Sequence, residues 1–558
     1  MGFIYFVLAK LNCEVSCCKE AALMKHSAGG TTMIEKRYDT SEIYAASGAL
    51  IAGVTVHGFA LFNILHNYDN ILQQPRGYGA GITSGRWLLS LMGDFLDKYL
   101  DLSYNLPLVN GLLFLVLIAL SAAVVVNILQ IKNRVSSVLI GCMMVTFPAV
   151  CATMAFRFTV VYYGFSLLLS VLCVWTAERG KLGVLLSVVC LACSMGIYQA
   201  YAPVSIGLLV LILMKDAMKE DADFQKLVGR GLRYCAILIL GVLLYFVLLK
   251  LSMKLYAQNG PVILNSYQGI DQMGQISLTQ LPKLLRRAWT SAALFSVRDY
   301  CDLAPTKIIK ILWSVLVLCI LLVTVYILIY KKVKPLPAAF CCVMGMLFPL
   351  AVNFIVIMCP DGNVYTIMVY AFVLIGCVPL MLLERLPENT GRANRRISRF
   401  VSVITAAIIF YNGYYTNFNY TALYYANEQV KNYLTALTAQ IRMAEGYTPE
   451  KKWAFLGEIQ DPDMIDMWKD QWMGYEDPPY YGGIKSCTAE ELLTTSYSFD
   501  FWVHSYIGYI PEKATQEEMQ SLAAEEQVAE MPCWPSEGSI KVVNEYLVVK
   551  FQELFPDE

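Results

Sequence analysis

Long apolar stretches alternate with short polar ones from residue 43 to residue 415. The runs near 43–65, 107–130, 135–155, 158–177, 182–198, 199–214, 234–257, 307–330, 336–358, 363–383 and 400–415 approach or reach the ~20 residues a helix needs to cross ~30 Å of hydrocarbon. They predict an all-α polytopic membrane protein of about eleven transmembrane helices. Two polar interruptions, 66–106 and 258–306, are long enough to hold structure of their own. In the first, SGRWLLSLMGDFLDKYL (84–100) puts Trp87, Leu88, Leu91, Phe95 and Tyr99 on one stripe, with Ser90, Asp94, Asp97 and Asp101 opposite. That pattern predicts a helix lying in the plane of the interface. In the second, LPKLLRRAW (281–289) is basic and amphipathic and also suits a lipid surface. Beyond residue 415 the pattern changes. An aromatic, helix-like segment (Tyr411 to Met443) leads to a strand candidate, KKWAFLG (451–457). Alternation of Ile540/Val542 and Leu547/Val549 across Asn544–Glu545 then predicts a β-hairpin. Residues 416–558 read as a small α/β domain following a transmembrane domain at 43–415.

Composition agrees. The 558 residues are 57% hydrophobic and 16% charged, against about 25% charged in an average soluble domain. Charge also orients the chain. Lys132 and Arg134, Arg179 and Lys181, Lys215 to Arg233, Lys331 to Lys334, and Arg385 to Arg399 fall in every second loop. The excess of lysine and arginine on cytoplasmic loops places these inside. The N-terminus is then cytoplasmic, and 66–106, 258–306, 359–362 and the tail are extracytoplasmic. Residues 1–42, with Lys10, Lys19, Lys25, Lys36 and Arg37 and no spanning run, read as a cytoplasmic leader. From residue 416 onward 24 acids face 9 lysines and arginines. An acidic exterior argues against nucleic acid as a partner.

Most of the 17 cysteines lie in apolar runs, where the thiol behaves as a small hydrophobe. With four histidines and no HExxH, no zinc site is legible. Cys487 and Cys533 in the tail either pair outside the cytoplasm or remain free thiols.

Chemistry concentrates in HNYDNILQQPRGYGAGITSGRW (66–87), between the first apolar run and the interfacial helix. Asp69 falls at the outer membrane surface. A half-desolvated carboxylate there has a raised pKa and is a usable base; the alternative is a solvated acid ending a helix. Gly77, Gly79, Gly81 and Gly85 free backbone amides that could cradle an anion, or form a plain flexible loop. Arg86 heads the interfacial helix. Arg157, in MAFRF (154–158), either faces a cavity or reaches for headgroups. Asp94, Tyr198, Gln199, Arg286 and Arg287 are further candidate substrate contacts, with lipid phosphate the competing partner for the last two. Asp361 in CPDGN reads as turn chemistry. Among the tail aromatics, Trp468, Trp472, Tyr480, Tyr481 and Trp502 suit either sugar stacking or a core, and a core is the expectation.

NYDNILQ…GYGAGITSGRW (67–87), GIYQAY (196–201) and MPCWPSEGSIKVVNEYLVVKF (531–551) together resemble the bacterial Gtr-type (type II) glucosyltransferase family. The resemblance implies a GT-C-like enzyme of the bacterial cell membrane. Such an enzyme takes a sugar, typically glucose, from a polyprenyl-phosphate donor and passes it to a surface glycan such as O-antigen. It implies that Asp69 is the acid of the first external loop serving the reaction. It also suggests that Arg86, Arg157, Gly79 and Gly81 hold the donor phosphate. Where many relatives carry a second acid, this chain has Asn70, which argues against a two-acid or metal-dependent site and for no cofactor. Two other classes compete: a transporter or flippase of a lipid-linked glycan, and a sensory or structural membrane protein using its acidic tail to bind a partner. A transporter should carry charged or broken helices at mid-membrane, whereas the ionisable residues here cluster at the external surface.

Overall fold

A computed structural model describes residues 40–257, 262–264, 279–360, 362–387, 391–459, 478–494, 498–508 and 512–552. The leader up to residue 39, most of 258–278, Asp361, Trp468 and Trp472 lie outside the described residues.

The apolar runs are helices: α1 (Thr40–Phe62), α2 (Trp87–Leu100), α3 (Pro107–Leu129), α4 (Arg134–Thr146), α5 (Pro148–Met154), α6 (Val160–Ala177), α7 (Gly180–Ile197), α8 (Ala202–Ala217), α9 (Phe224–Tyr256), α10 (Leu281–Ala293), α11 (Lys307–Tyr330), α12 (Pro335–Val352), α13 (Ile355–Met358), α14 (Val373–Leu383) and α15 (Gly391–Met443). Nine described helices are long and apolar enough to cross a membrane, or ten when α4 and α5, bent by 43° at Phe147–Pro148, count as one span. The run at 363–383 contains only a short apolar helix, Tyr370–Leu383, because its first third is taken up by separate 3₁₀ turns. The protein is a multi-pass membrane protein.

Helices α1 and α4 approach closely because glycines replace side chains at the crossing. A Cβ on Gly141 would lie 2.0 Å from the Ala45 carbonyl oxygen, and one on Gly48 would lie 2.9 Å from that of Val138. Small residues at such crossings let helix backbones pack by van der Waals contact in lipid, where no hydrophobic drive exists between helices. Helix α15 presents Asn412, Thr416, Asn419, Tyr420 and Asn427 inward, at helical spacing. It runs unbroken through the expected boundary at 415/416.

The basic loops gather at one end of the bundle. Ser41 Oγ donates to the Lys132 carbonyl at 3.1 Å, Asn133 N–H to Glu384 at 2.8 Å, and Lys215 Nζ to the Ile128 carbonyl at 3.0 Å. Arg230 bridges Glu178 and Asp216 there. Helix α2 forms as expected, with Leu91, Phe95 and Tyr99 exposed. Its acidic face turns toward protein instead, where Arg76 meets Asp97 at 2.8 Å.

The tail carries β1 (Lys452–Leu456), β2 (Ile540–Val543) and β3 (Tyr546–Lys550) in the order β1-β3-β2. β1 runs parallel to β3, and β2 pairs with it antiparallel through the expected hairpin. Alternation gives the sheet two apolar faces. Trp453, Leu547 and Val549 join the main core, while Ala454, Val543 and Val548 meet Leu522 and Val528. Cys487 and Cys533 are not joined by a disulfide.

Candidate active site

After α1 ends, the chain makes an Asn-initiated turn. Asn67 Oδ1 accepts from the Asp69 amide at 3.2 Å and from the Asn70 amide at 2.7 Å, the usual way an asparagine side chain closes a turn on its own backbone. The turn sends the two following side chains to different places. Asn70 is fully buried: its Nδ2 donates to the Leu65 carbonyl at 3.2 Å, and its Oδ1 accepts from Asn105 at 2.9 Å. Asp69 instead lines a cavity of about 490 Å³. Helix α15 anchors the turn from behind, as Asn427 exchanges hydrogen bonds with the backbone of His66 at 2.7 and 2.9 Å.

The two motifs around Arg86 and Gln199 touch. A Cβ on Gly196 would lie 2.4 Å from the Trp87 ring, so the glycine lets that indole seat directly on α7. Gln199 Nε2 donates to the Ser84 carbonyl at 3.0 Å and to the Tyr245 hydroxyl at 3.1 Å, and that hydroxyl donates to the Gly85 carbonyl at 3.0 Å. Tyr163 and Tyr198 stack at 4.1 Å, and the Arg86 guanidinium lies 5.0 Å from the Tyr198 ring centre and 5.9 Å from that of Tyr163. Both distances are within range for attraction between a cation and an aromatic face.

Asp69, Gly79, Arg86, Tyr198 and Gln199 thus line one cavity. Among the described residues, Asp69 is its only acid and Arg86 its only base. The two form no ion pair, yet they sense each other. Burial pushes the Asp69 carboxyl above its ordinary value, and the Arg86 charge opposes that rise. A carboxylate and a guanidinium facing one cavity without pairing to each other suit a substrate that brings a proton to one and an anion to the other.

The remaining sequence candidates lie outside this cavity. Arg157 is buried beneath the end of α1, donating to the carbonyls of Leu65 and Asn63; it is neither a cavity cation nor a headgroup contact. Burial lowers its pKa to about 10, so it stays charged at neutral pH. Gly81 packs against Ser90, and its carbonyl accepts the Arg86 amide at 3.2 Å. The Gly79 amide already donates to Gln73 at 3.3 Å. Asp94 accepts from the Tyr78 and Tyr256 hydroxyls at 2.6 and 2.8 Å, a tie between α2 and the end of α9. Arg286 and Arg287 are exposed on α10.

Several lining residues had no legible signal. Tyr163 stands in an apolar run like any core aromatic. Phe156 and Phe158 flank Arg157 and carry the close approach of two glycines. A Cβ on Gly79 would lie 2.5 Å from the Phe158 ring, and one on Gly483 would lie 2.9 Å from that of Phe156. Gly482, Gly483 and Ser486 bring the tail to the cavity wall. Their Tyr-Tyr-Gly-Gly context marks a turn without saying what it faces. The tail aromatics Tyr481 and Trp502 are fully buried and Tyr480 nearly so, as a core requires.

A family described as glucosyl transferase GtrII matches residues 58–376. No curated protein and no solved structure matches the chain. The matched region is more than half of the chain and contains the Asp69 turn, the Arg86 loop and the Gln199 turn. The chain belongs to this family, and it is a membrane glycosyltransferase by that membership.

Proposed function

We propose that this member of the GtrII glucosyl transferase family uses a polyprenyl-phosphate donor, the carrier of glucose in keeping with the family's description, and delivers the sugar to a surface glycan on the extracytoplasmic face. The fold is read as GT-C-like, with the basic loops in the cytoplasm and the cavity opposite them. One observation carries the reading: a single described acid and a single described base face the same enclosed space without pairing.

The chemistry follows from that arrangement. An acceptor hydroxyl attacks C1 of the sugar from one face while the C1–O bond to the phosphate breaks on the other, with inversion. The transition state has oxocarbenium character. Asp69 takes the hydroxyl proton. The bonding pair leaves with the phosphate oxygen, whose growing charge Arg86 stabilises in a site of low dielectric. A lipid-linked donor also needs apolar space beside the polar cavity. A hollow of about 410 Å³, lined by Met195, Ala202, Val242, Phe246, Ile357 and Met358 among others, lies across α13, whose Ile355 faces the cavity. The isoprenoid chain is assigned there, and Gly482, Gly483 and Ser486 are assigned to the acceptor side.

The test is transfer from labelled polyprenyl-phosphate-glucose to candidate glycans in membranes, comparing wild type with Asp69→Asn. Loss of transfer in the variant is expected. Undiminished transfer by Asp69→Asn would remove Asp69 from the mechanism, and no transfer from any lipid-linked sugar would end the reading.

A further inference from the structure

Tyr245 projects from the membrane helix α9, fully buried, into the loop before α2. Its hydroxyl and the Gln199 amide hold the carbonyls of Gly85 and Ser84, the two residues directly before Arg86. Gly85 sits at φ 70°, a left-handed conformation natural to glycine, in a turn whose amides close on Gly81 and Ile82, and the bonds from Tyr245 and Gln199 tie that turn to the membrane helices. The Arg86 side chain has few ties of its own. Its Nε is buried with no hydrogen-bond partner among the described residues, one terminal nitrogen makes a 3.5 Å contact with the Ala80 carbonyl, and the guanidinium also hydrogen-bonds the Tyr163 side chain. Where the guanidinium points is therefore decided by where its backbone is held and by the tyrosine faces beneath it.

We propose that Tyr245 and Gln199 are positioning residues that brace the 84–86 backbone and so aim Arg86 at the phosphate of a prenyl-phosphate ligand. The proposal rests on the reading of Arg86 given above. Tyr245 does not line the cavity, and its hydroxyl is spent on Gly85 and Gln199; Gln199 does line it, with its amide nitrogen spent on Ser84 and Tyr245. A displacement of about 1 Å in a charged contact can cost up to about 100-fold, and Tyr245→Phe removes one of two braces, so a loss of about tenfold is expected.

The experiment measures binding of farnesyl phosphate to the full chain in detergent, by titration calorimetry, for wild type, Tyr245→Phe, Arg86→Ala and the double variant. Expected is about tenfold weaker binding by Tyr245→Phe, with no further loss when it is added to Arg86→Ala, the non-additivity of residues acting through one contact. Gln199→Met should repeat the pattern, and it serves where Tyr245→Phe fails to fold by thermal unfolding. Wild-type affinity in Tyr245→Phe, or equal weakening in both backgrounds, overturns the brace. Coupled binding without sugar transfer upholds the brace and rejects the proposed function. Transfer from the full-length donor without any binding of farnesyl phosphate does the reverse.

Discussion

Asp69 carries opposite consequences for activity and for stability. Burial holds its carboxyl above the ordinary 3.8, against the pull of Arg86, so the fold disfavours the ionised form that a base must use. Where a group's folded pKa is raised, the folded state binds more protons than the unfolded state, and stability falls as pH rises through that value. Asp69→Asn removes the cost. The variant should unfold at a higher temperature than wild type at neutral pH, and the gap should close as pH falls below 3.8, where the wild-type carboxyl is protonated in both states. Transfer should fall by about 10²–10⁴, the usual worth of a positioned base. Equal melting temperatures at neutral pH would show that burial imposes no such cost. Wild-type transfer should likewise decline on acidification, beginning at a higher pH than an exposed carboxylate would give.

Among the elements, the segment between α5 and α6 does more packing than its sequence suggests. Arg157 satisfies carbonyls at the end of α1, which have no partner within the helix. Replacing it with Met leaves the Asn63 carbonyl unpaired at about 1–3 kcal/mol, while the Leu65 carbonyl keeps Asn70. Thermal unfolding in detergent should show that loss, while the KM for donor in the folded fraction should stay as in wild type; a large rise in KM would return Arg157 to the phosphate site. Gly79→Ala should also destabilise, by about 1–3 kcal/mol, since the residue is at φ 85° with the Phe158 ring 2.5 Å from an added Cβ. Unfolding midpoints check that as well. These cases show what the sequence could and could not reveal. Asp69 and Arg86 were legible because polar residues stand out between apolar runs. The helices and the hairpin were legible because each has its own period. Arg157 was not, because a cation ending a helix and a cation facing a cavity occupy the same kind of sequence. Asp94 misled for a related reason: period shows that acids share a face of α2, yet not that the face turns inward against tyrosines. Tyr245 and Tyr163 carried no signal, since an aromatic hydroxyl within an apolar run reads as core.

For the whole molecule, two ends of different character follow from one bundle. At one end the basic loops are tied by Lys215, Arg230 and Asn133 to carbonyls and carboxylates of neighbouring loops. At the other end the cavity is closed by the Asp69 turn, the Arg86 loop and tail residues Gly482 and Gly483. Two ties latch the tail: Lys485 meets Asp302, in the loop before α11, at 3.0 Å, and the Gly482 amide donates to Thr366, in the turn before α14, at 3.0 Å. The sheet shares the main core through Trp453 and Leu547, so the tail lies on the cavity's side of the membrane. The orientation proposed from lysine and arginine bias has the loop end cytoplasmic and the cavity end external. A cysteine-depleted chain tests this directly with a membrane-impermeant thiol reagent on intact cells. Glu445→Cys, exposed just past α15, should label at once, whereas Glu220→Cys, exposed between α8 and α9, should label only after permeabilisation. The reverse pattern would put the cavity in the cytoplasm, where a soluble nucleotide-sugar could reach it and a lipid-linked donor would lose its advantage. Labelling of both sites in intact cells would instead remove one membrane crossing between residues 220 and 445 from the topology.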